Sequence, residues 1–274
     1  MVGDERGPGG RPPELSPAGL REDYDAAASG WAGGPAAMYA PLAAALVAAA
    51  PVPAAGHRVL DLGAGTGLAA RSALAAGARQ VARADLSEQM LRRGRGGSPV
   101  AANAVALPFR DRSFDLVLAA FCLNHLDPPE AGLAEARRVG AALAASTFAP
   151  GWTHPAKDAA DAAVRSFGYQ PPAWYEALAP GERASDPEVL AGLAAAAGFA
   201  RVRMDVVPVL TALVTPAELV SWRLGMAHYA SFLRALDAAG RAAVRRAAEQ
   251  AVAAVTGPDP GEPLVVSMLV LSAS

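Results

Sequence analysis

Val59-Leu60-Asp61-Leu62-Gly63-Ala64-Gly65-Thr66-Gly67 decides how this chain is read. β-formers lead into an acidic residue, glycines follow at alternate positions, and an Ala/Leu-rich segment of helical character comes next. A strand that turns sharply into a helix needs residues that tolerate positive φ, and glycine does so without steric cost. With no Cβ in the way a ligand can touch the backbone, and the helix start presents unpaired N–H groups. In open α/β sheets, small-molecule cofactors sit at such a turn. Glycine spacing then discriminates among them. A nicotinamide or flavin site wants Gly-x-Gly-x-x-Gly. Counted from Gly63 or from Gly65, the third glycine would fall on Leu68 or Ala70, and neither fits. A phosphate-gripping loop needs Gly-Lys-Ser/Thr, and the single lysine is Lys157.

Outward from this turn, strands alternate with helices. Arg58–Leu62 reads as a first buried strand and Leu68–Ala76 as its helix. A strand at Gln80–Asp85, a helix at Glu88–Arg93 and a short strand at Val100–Asn103 follow. Phe114–Phe121 is a strong strand behind the turn signal Arg110–Ser113, with a helix at Pro129–Val139 and a strand at Ala142–Phe148. Such alternation implies parallel pairing through right-handed crossovers. Further on, Asp186-Pro187 and Thr215-Pro216 each look like a cap followed by proline at the first helical position. The first helix runs to Gly198 and feeds a strand at Arg201–Leu210. The second ends near Leu236, a third spans Arg241–Val255, and Leu264–Ser272 forms a closing strand. Residues 1–20, rich in glycine and proline, read as a disordered tail; a single domain covers 21–274, with helical caps at 21–56 and 211–260.

The 274 residues suffice for one large α/β domain carrying a smaller cap. Composition is 53% hydrophobic and 18% charged, with a formal net charge of −2 and no basic block, so no nucleic-acid footprint is expected. Lone Cys122 rules out an internal disulfide and fits a reducing cytoplasm. Trp31–Gly56 is uncharged and nominally long enough to span a membrane. Four prolines interrupt it, and it reads as a helix packed on the domain, with no membrane partner and no signal peptide.

The pattern Asp61-x-Gly63-x-Gly65-x-Gly67 resembles the first motif of the class I S-adenosylmethionine (SAM) dependent methyltransferases. Asp85-Leu86-Ser87-Glu88-Gln89-Met90 looks like the family's second motif, and Asn103-Ala104-Val105-Ala106-Leu107-Pro108-Phe109 like its adenine-contacting segment, with Asn103 replacing the usual aspartate. The resemblance implies a doubly wound, Rossmann-like mixed sheet of seven strands, the last antiparallel, plus a helical cap. It places the cofactor against Asp61, Gly63, Ala64, Gly65 and Gly67. Asp85 would take the ribose hydroxyls, Leu86 and Met90 the adenine face, Asn103 and Ala104 the ring edge, and Phe121 the methionine tail. Val139–Leu143 is about three residues shorter than the family's usual turn.

Acceptor contacts are expected from aromatic and sulfur side chains of the caps and of the segment after the fifth strand: Tyr24, Trp31, Tyr39, Trp152, Trp174, Trp222, Met226 and Tyr229. Trp222 and Met226 fit core packing equally well. Bases, if one is needed, are His125, His154 or His228. No Ser-His-Asp order or Cys/His metal spacing appears. The expected activity is methyl transfer to a small molecule at oxygen, nitrogen or carbon, some relatives acting on quinones or secondary metabolites. A SAM-binding protein that directs cyclisation or decarboxylation, or only binds, is the competing reading; the oligomeric state stays open.

Overall fold

A computed structural model describes residues 17–178 and 185–274. In chain order, α1 (Pro17–Trp31) and α2 (Pro35–Ala48) precede β1 (Arg58–Leu62), α3 (Leu68–Ala75), β2 (Gln80–Asp85), α4 (Glu88–Arg93) and β3 (Ser98–Ala101). Next come β4 (Phe114–Ala120), a 3-10 turn at Leu123–His125, α5 (Pro129–Val139) and β5 (Gly140–Phe148). The remainder carries α6 (Pro155–Arg165), α7 (Ala173–Leu178), α8 (Pro187–Ala196), β6 (Val202–Leu210), α9 (Pro216–Leu224), α10 (Ala227–Ala235), α11 (Ala238–Thr256) and β7 (Val265–Ala273).

The seven strands form one sheet in the order β3-β2-β1-β4-β5-β7-β6. β1 to β5 pair in parallel, and β7 enters antiparallel between β5 and β6. Side chains alternate across a strand, and the central strands are apolar on both faces. Val59, Leu116 and Leu118 point into one core layer, with Met38, Leu42 and Leu46 of α2 and Val244 and Val252 of α11. Leu60, Val117 and Leu143 point into the other, with Leu133 of α5 and Leu190 of α8. The doubly wound architecture is thus as expected, last strand included.

The boundaries differ where local signals are weak. α1 starts at Pro17, so the last four residues of the expected tail are helical, and the first sixteen lie outside the described residues. The helix expected to run to Leu236 breaks at Gly225, where α9 stops and α10 begins at Ala227. α9 and α11 bury Leu219, Val220, Trp222, Val244, Ala248 and Val252 in the main core, forming part of the layer against the sheet. Within the expected cap of 211–260, cavity contact comes only from Met226. No single helix among the described residues is long and apolar enough to cross a membrane; α1 and α2 together reach that length but meet at a bend of 98°.

The short Val139–Leu143 stretch has a simple resolution. α5 ends at Val139 and β5 starts at Gly140, with no residue between them. A side chain at 140 would collide with Val117, so glycine permits the junction. Arg138 in the last turn of α5 donates to the carbonyls of Leu107 and Phe109 at 3.0 and 2.7 Å, holding the loop that precedes β4.

Candidate functional site

β1 lies between β2 and β4, where chain order reverses direction across the sheet, and a cavity of about 230 Å³ opens there beyond the carboxyl ends of these strands. The glycine turn forms its floor. Gly63 and Gly65 have φ of +65° and +51°. At Gly63 a Cβ would lie 2.6 Å from Cys122 Sγ, so the bare backbone there serves packing. At Gly65 a Cβ would meet no atom of the described residues within 4 Å beyond its chain neighbours, and the main chain is open to the cavity. Gly67 differs from the expectation. It faces away from the cavity, against the Arg95 carbonyl and the Arg83 side chain, and serves as N-cap of α3 with φ +78°. Positive φ and close packing require glycine here, without any contact to the cavity.

Asp61 is 1% exposed, and its Oδ2 accepts the Ala70 N–H at 2.8 Å, tying the strand end to the first turn of α3. Burial pushes its carboxyl up to about 7; the Ala70 bond opposes that shift and the charge of Asp85 adds to it. The folded protein therefore retains a proton that the unfolded chain loses near pH 4. It binds more protons than the unfolded state across that window, so stability falls as pH rises from about 4 to about 7. Asp61→Asn keeps an acceptor for Ala70 and is expected to flatten that decline by a few kcal/mol in a series of melts against pH. An unchanged slope would remove Asp61 as its source.

Asp85 closes β2 at the cavity wall. Its Oδ2 accepts the Gly65 N–H at 2.7 Å and its Oδ1 the Ser87 N–H at 2.7 Å. Burial raises its pKa, and these two amides pull it back. Leu86 and Met90 line the same wall, as do Ala64, Asn103 and Ala104. The Asn103 carbonyl oxygen already accepts the Val105 N–H at 3.2 Å, an Asx-type turn that shapes the segment. Phe121 reaches the cavity from the end of β4 in a left-handed conformation, φ +53°, which is rare for an aromatic residue. The neighbouring Cys122 is buried, and burial pushes its thiol up to about 12, consistent with a packing role.

Aromatic side chains form the opposite wall. Trp31 and Tyr39 stack at 5.8 Å, Tyr39 meets Phe121 edge-on at 5.1 Å, and Tyr24 meets His125 edge-on at 5.7 Å. Tyr24, Trp31, Tyr39, Met226 and His125 all line the cavity. Tyr24 Oη lies 3.1 Å from His125 Nε2. Burial lowers the imidazole to about 4, so it is neutral at physiological pH.

The other expected site residues lie elsewhere. His154 is the N-cap of α6, its Nδ1 accepting the Ala156 N–H at 3.2 Å, a role its position before Pro155 allows. His228 stacks on Tyr175 at 4.1 Å, buried behind the cavity wall. Trp152 stacks on Phe148 and donates to the Val265 carbonyl. Trp174 stands behind Tyr24 and donates to Asp23 Oδ2 at 2.8 Å. Tyr229 is 2% exposed and donates to Asp161, itself paired with buried Arg223. Trp222, 1% exposed, belongs to the core. Trp222→Ala is expected to cost about 3–5 kcal/mol of stability while leaving ligand affinity at the cavity unchanged, as paired denaturation and calorimetry would show. Sequence reading missed Leu20, Arg21, Thr66, Leu126 and Asp127 among the lining residues. Leu20 and Arg21 lay at the border of the expected tail, and Thr66 between glycines.

Residues 60–142 match the model of a methyltransferase domain. Over 94 residues the chain is 47% identical to a demethylmenaquinone methyltransferase of Clavibacter sepedonicus, a match covering 32% of this chain and 38% of that protein. It is also 47% identical over 94 residues to a ubiquinone/menaquinone biosynthesis C-methyltransferase of Cupriavidus taiwanensis, covering 31% and 39%. The chain thus spans less than two-fifths of the length of these relatives. Among solved structures, the [4+2]-cyclase SpnF aligns at a TM-score of 0.55 and 19% identity, covering 93% of this chain and 94% of that one. Phosphoethanolamine N-methyltransferase 2 of Haemonchus contortus, solved with SAM, aligns at 0.51 and 16%, covering 85% and 51%. These two show the fold. The glycine turn lies inside the matched segment, so residues 60–142 are similar to a methyltransferase domain, and the strand order agrees with that likeness.

Proposed function

We propose that the protein transfers the methyl group of SAM to a small-molecule acceptor at oxygen, nitrogen or carbon, in quinone-type or secondary metabolism within the cytoplasm, without nucleic acid or membrane as partner. One observation carries the reading: the open flank of Gly65 and the Asp85 carboxylate share a single cavity with an aromatic wall. SAM supplies an activated methyl on a sulfonium. Backbone of the glycine turn would hold its amino-acid end, and Asp85 would accept from the ribose hydroxyls, each oxygen keeping a lone pair beyond its amide bond. Leu86 and Met90 would flank the adenine. The Ala104 backbone N–H would donate to the ring, and the Asn103 side-chain oxygen, which accepts the Val105 N–H with one lone pair, keeps the other for the adenine amino group.

Tyr24, Trp31, Tyr39, Phe121 and Met226 present flat, polarizable surface to the acceptor, which suits a planar apolar molecule. Alignment alone lowers such a barrier by on the order of 7–11 kcal/mol. His125 is a weak base, neutral and hydrogen-bonded among the described residues to Tyr24 and no carboxylate, so the site favours acceptors that ionise readily or are nucleophilic already.

The same weakness favours a second reading, in which SAM binds unconsumed and the aromatic cavity aligns a substrate for cyclisation. Incubation with SAM and a panel of quinols, phenols and amines, followed by mass spectrometry for S-adenosylhomocysteine and methylated product, tests both. Product formation is expected. Tight SAM binding with no homocysteine derivative across the panel would overturn methyl transfer in favour of the second reading.

A further inference from the structure

Asp23, Tyr24 and Asp25 are consecutive on α1, so their side chains leave the helix about 100° apart. Each finds its partner on a different element. Asp23 accepts from Trp174 Nε1 on α7 at 2.8 Å and from the Ser231 hydroxyl on α10. Tyr24 is hydrogen-bonded to His125. Asp25 Oδ1 accepts from Ser87 Oγ at 2.6 Å and from the Gln89 N–H at 3.1 Å, at the start of α4. Ser87 is held from its other side by Asp85, which in turn holds the Gly65 N–H. A run of hydrogen bonds therefore leads from the glycine turn through Asp85 and Ser87 to α1, the helix that also carries Tyr24 to the aromatic wall.

The apolar attachment of α1 is modest by comparison. Ala27, Ala28 and Trp31 form a small cluster with Met90, Trp174 and Ala227, separate from the two layers that flank the sheet. A helix held by a satellite cluster and a few polar contacts opens at lower free energy than the sheet. Its opening would carry Leu20, Arg21, Tyr24 and Trp31 away from the cavity they line.

We propose that Asp25 is a positioning residue that couples cofactor occupancy to closure of α1, a proposal that rests on the SAM reading above. A ligand bonded to Asp85 fixes that carboxylate, and with it the Ser87 hydroxyl that Asp25 grips. Closure of α1 then completes the aromatic wall, so the acceptor site is assembled only when the cofactor site is full. The coupling is reciprocal: loosening α1 weakens cofactor binding.

Hydrogen exchange read by mass spectrometry on the full chain, with and without S-adenosylhomocysteine, tests this. In the wild type the ligand is expected to slow exchange in α1 as well as in the glycine turn. Asp25→Ala is expected to keep the protection at the turn under saturating ligand, lose it in α1, and raise Kd on the order of tenfold. Asp25→Asn retains a carbonyl acceptor and is expected to restore protection of α1. Ligand binding that leaves α1 exchange unchanged in the wild type, or equal protection of α1 in Asp25→Ala, would overturn the coupling and leave the cofactor reading standing. Failure of the wild type to bind S-adenosylhomocysteine in calorimetry would overturn the cofactor reading itself. If Asp25→Ala does not fold, the wild-type titration decides alone, since protection of α1 must track occupancy.

Discussion

Gly65→Val is expected to raise the Kd for SAM by more than about a hundredfold while the far-UV spectrum of the protein stays native. Among the described residues no atom outside its chain neighbours lies within 4 Å of a Cβ at this position, so the new side chain starts in open space and projects toward the space assigned to the ligand. The backbone there has φ +51°, where a β-branched residue is strained by about 1–2 kcal/mol. That strain lowers Tm by a few degrees in a chain of this size, well short of unfolding. Gly63 and Gly67 are the internal controls. Substitution at Gly63 drives a Cβ into Cys122, and at Gly67 into the Arg95 carbonyl, so both are expected to lose stability before they lose affinity. Calorimetry with SAM beside thermal melts separates the three. Retained SAM affinity in Gly65→Val would reject close approach of the ligand at this turn.

Asp85→Ala carries the second-largest expected effect. Hydrogen bonds to a charged group contribute about 1.5–3 kcal/mol, which corresponds to a rise in Kd of roughly 10- to 150-fold. The carboxylate also orders the Gly65 and Ser87 amides, so its loss removes the partner of the turn as well as that of the ribose. Asp85→Asn keeps one acceptor oxygen and is expected to fall between wild type and alanine. Unchanged affinity in Asp85→Ala would count against the ribose role while leaving the fold assignment intact.

Local signals account for what was legible in the sequence. β1, β2, α4 and α5 coincide with their expected ranges because each is bounded by residues that act on their own backbone: the glycine turn, the Ser87 cap and the Pro128-Pro129 start. The motif residues from Asp61 to Gly65, together with Asp85, Leu86, Ser87 and Met90, line the cavity because their placement follows from the ends of strands, which sequence locates well. Helix-borne aromatics were harder. Helical spacing identifies the apolar face of α9 and α10 but does not distinguish a core from a cavity as its neighbour. Trp222 turned to the core, and Met226, in the break between the helices, to the cavity. Tyr229 depends on Asp161, which is distant in sequence and paired with Arg223. His154 was legible in principle, since a polar residue before proline at a helix start is a capping signal.

The seamless passage from α5 into β5 has a mechanical corollary. A crossover with no spare residues has no slack, so any shift of that helix is handed directly to the strand beside β4. The base of the chamber is thereby stiff, and accommodation of differently shaped guests falls to the walls on α1 and α2 and at Met226, whose joints lie outside the sheet.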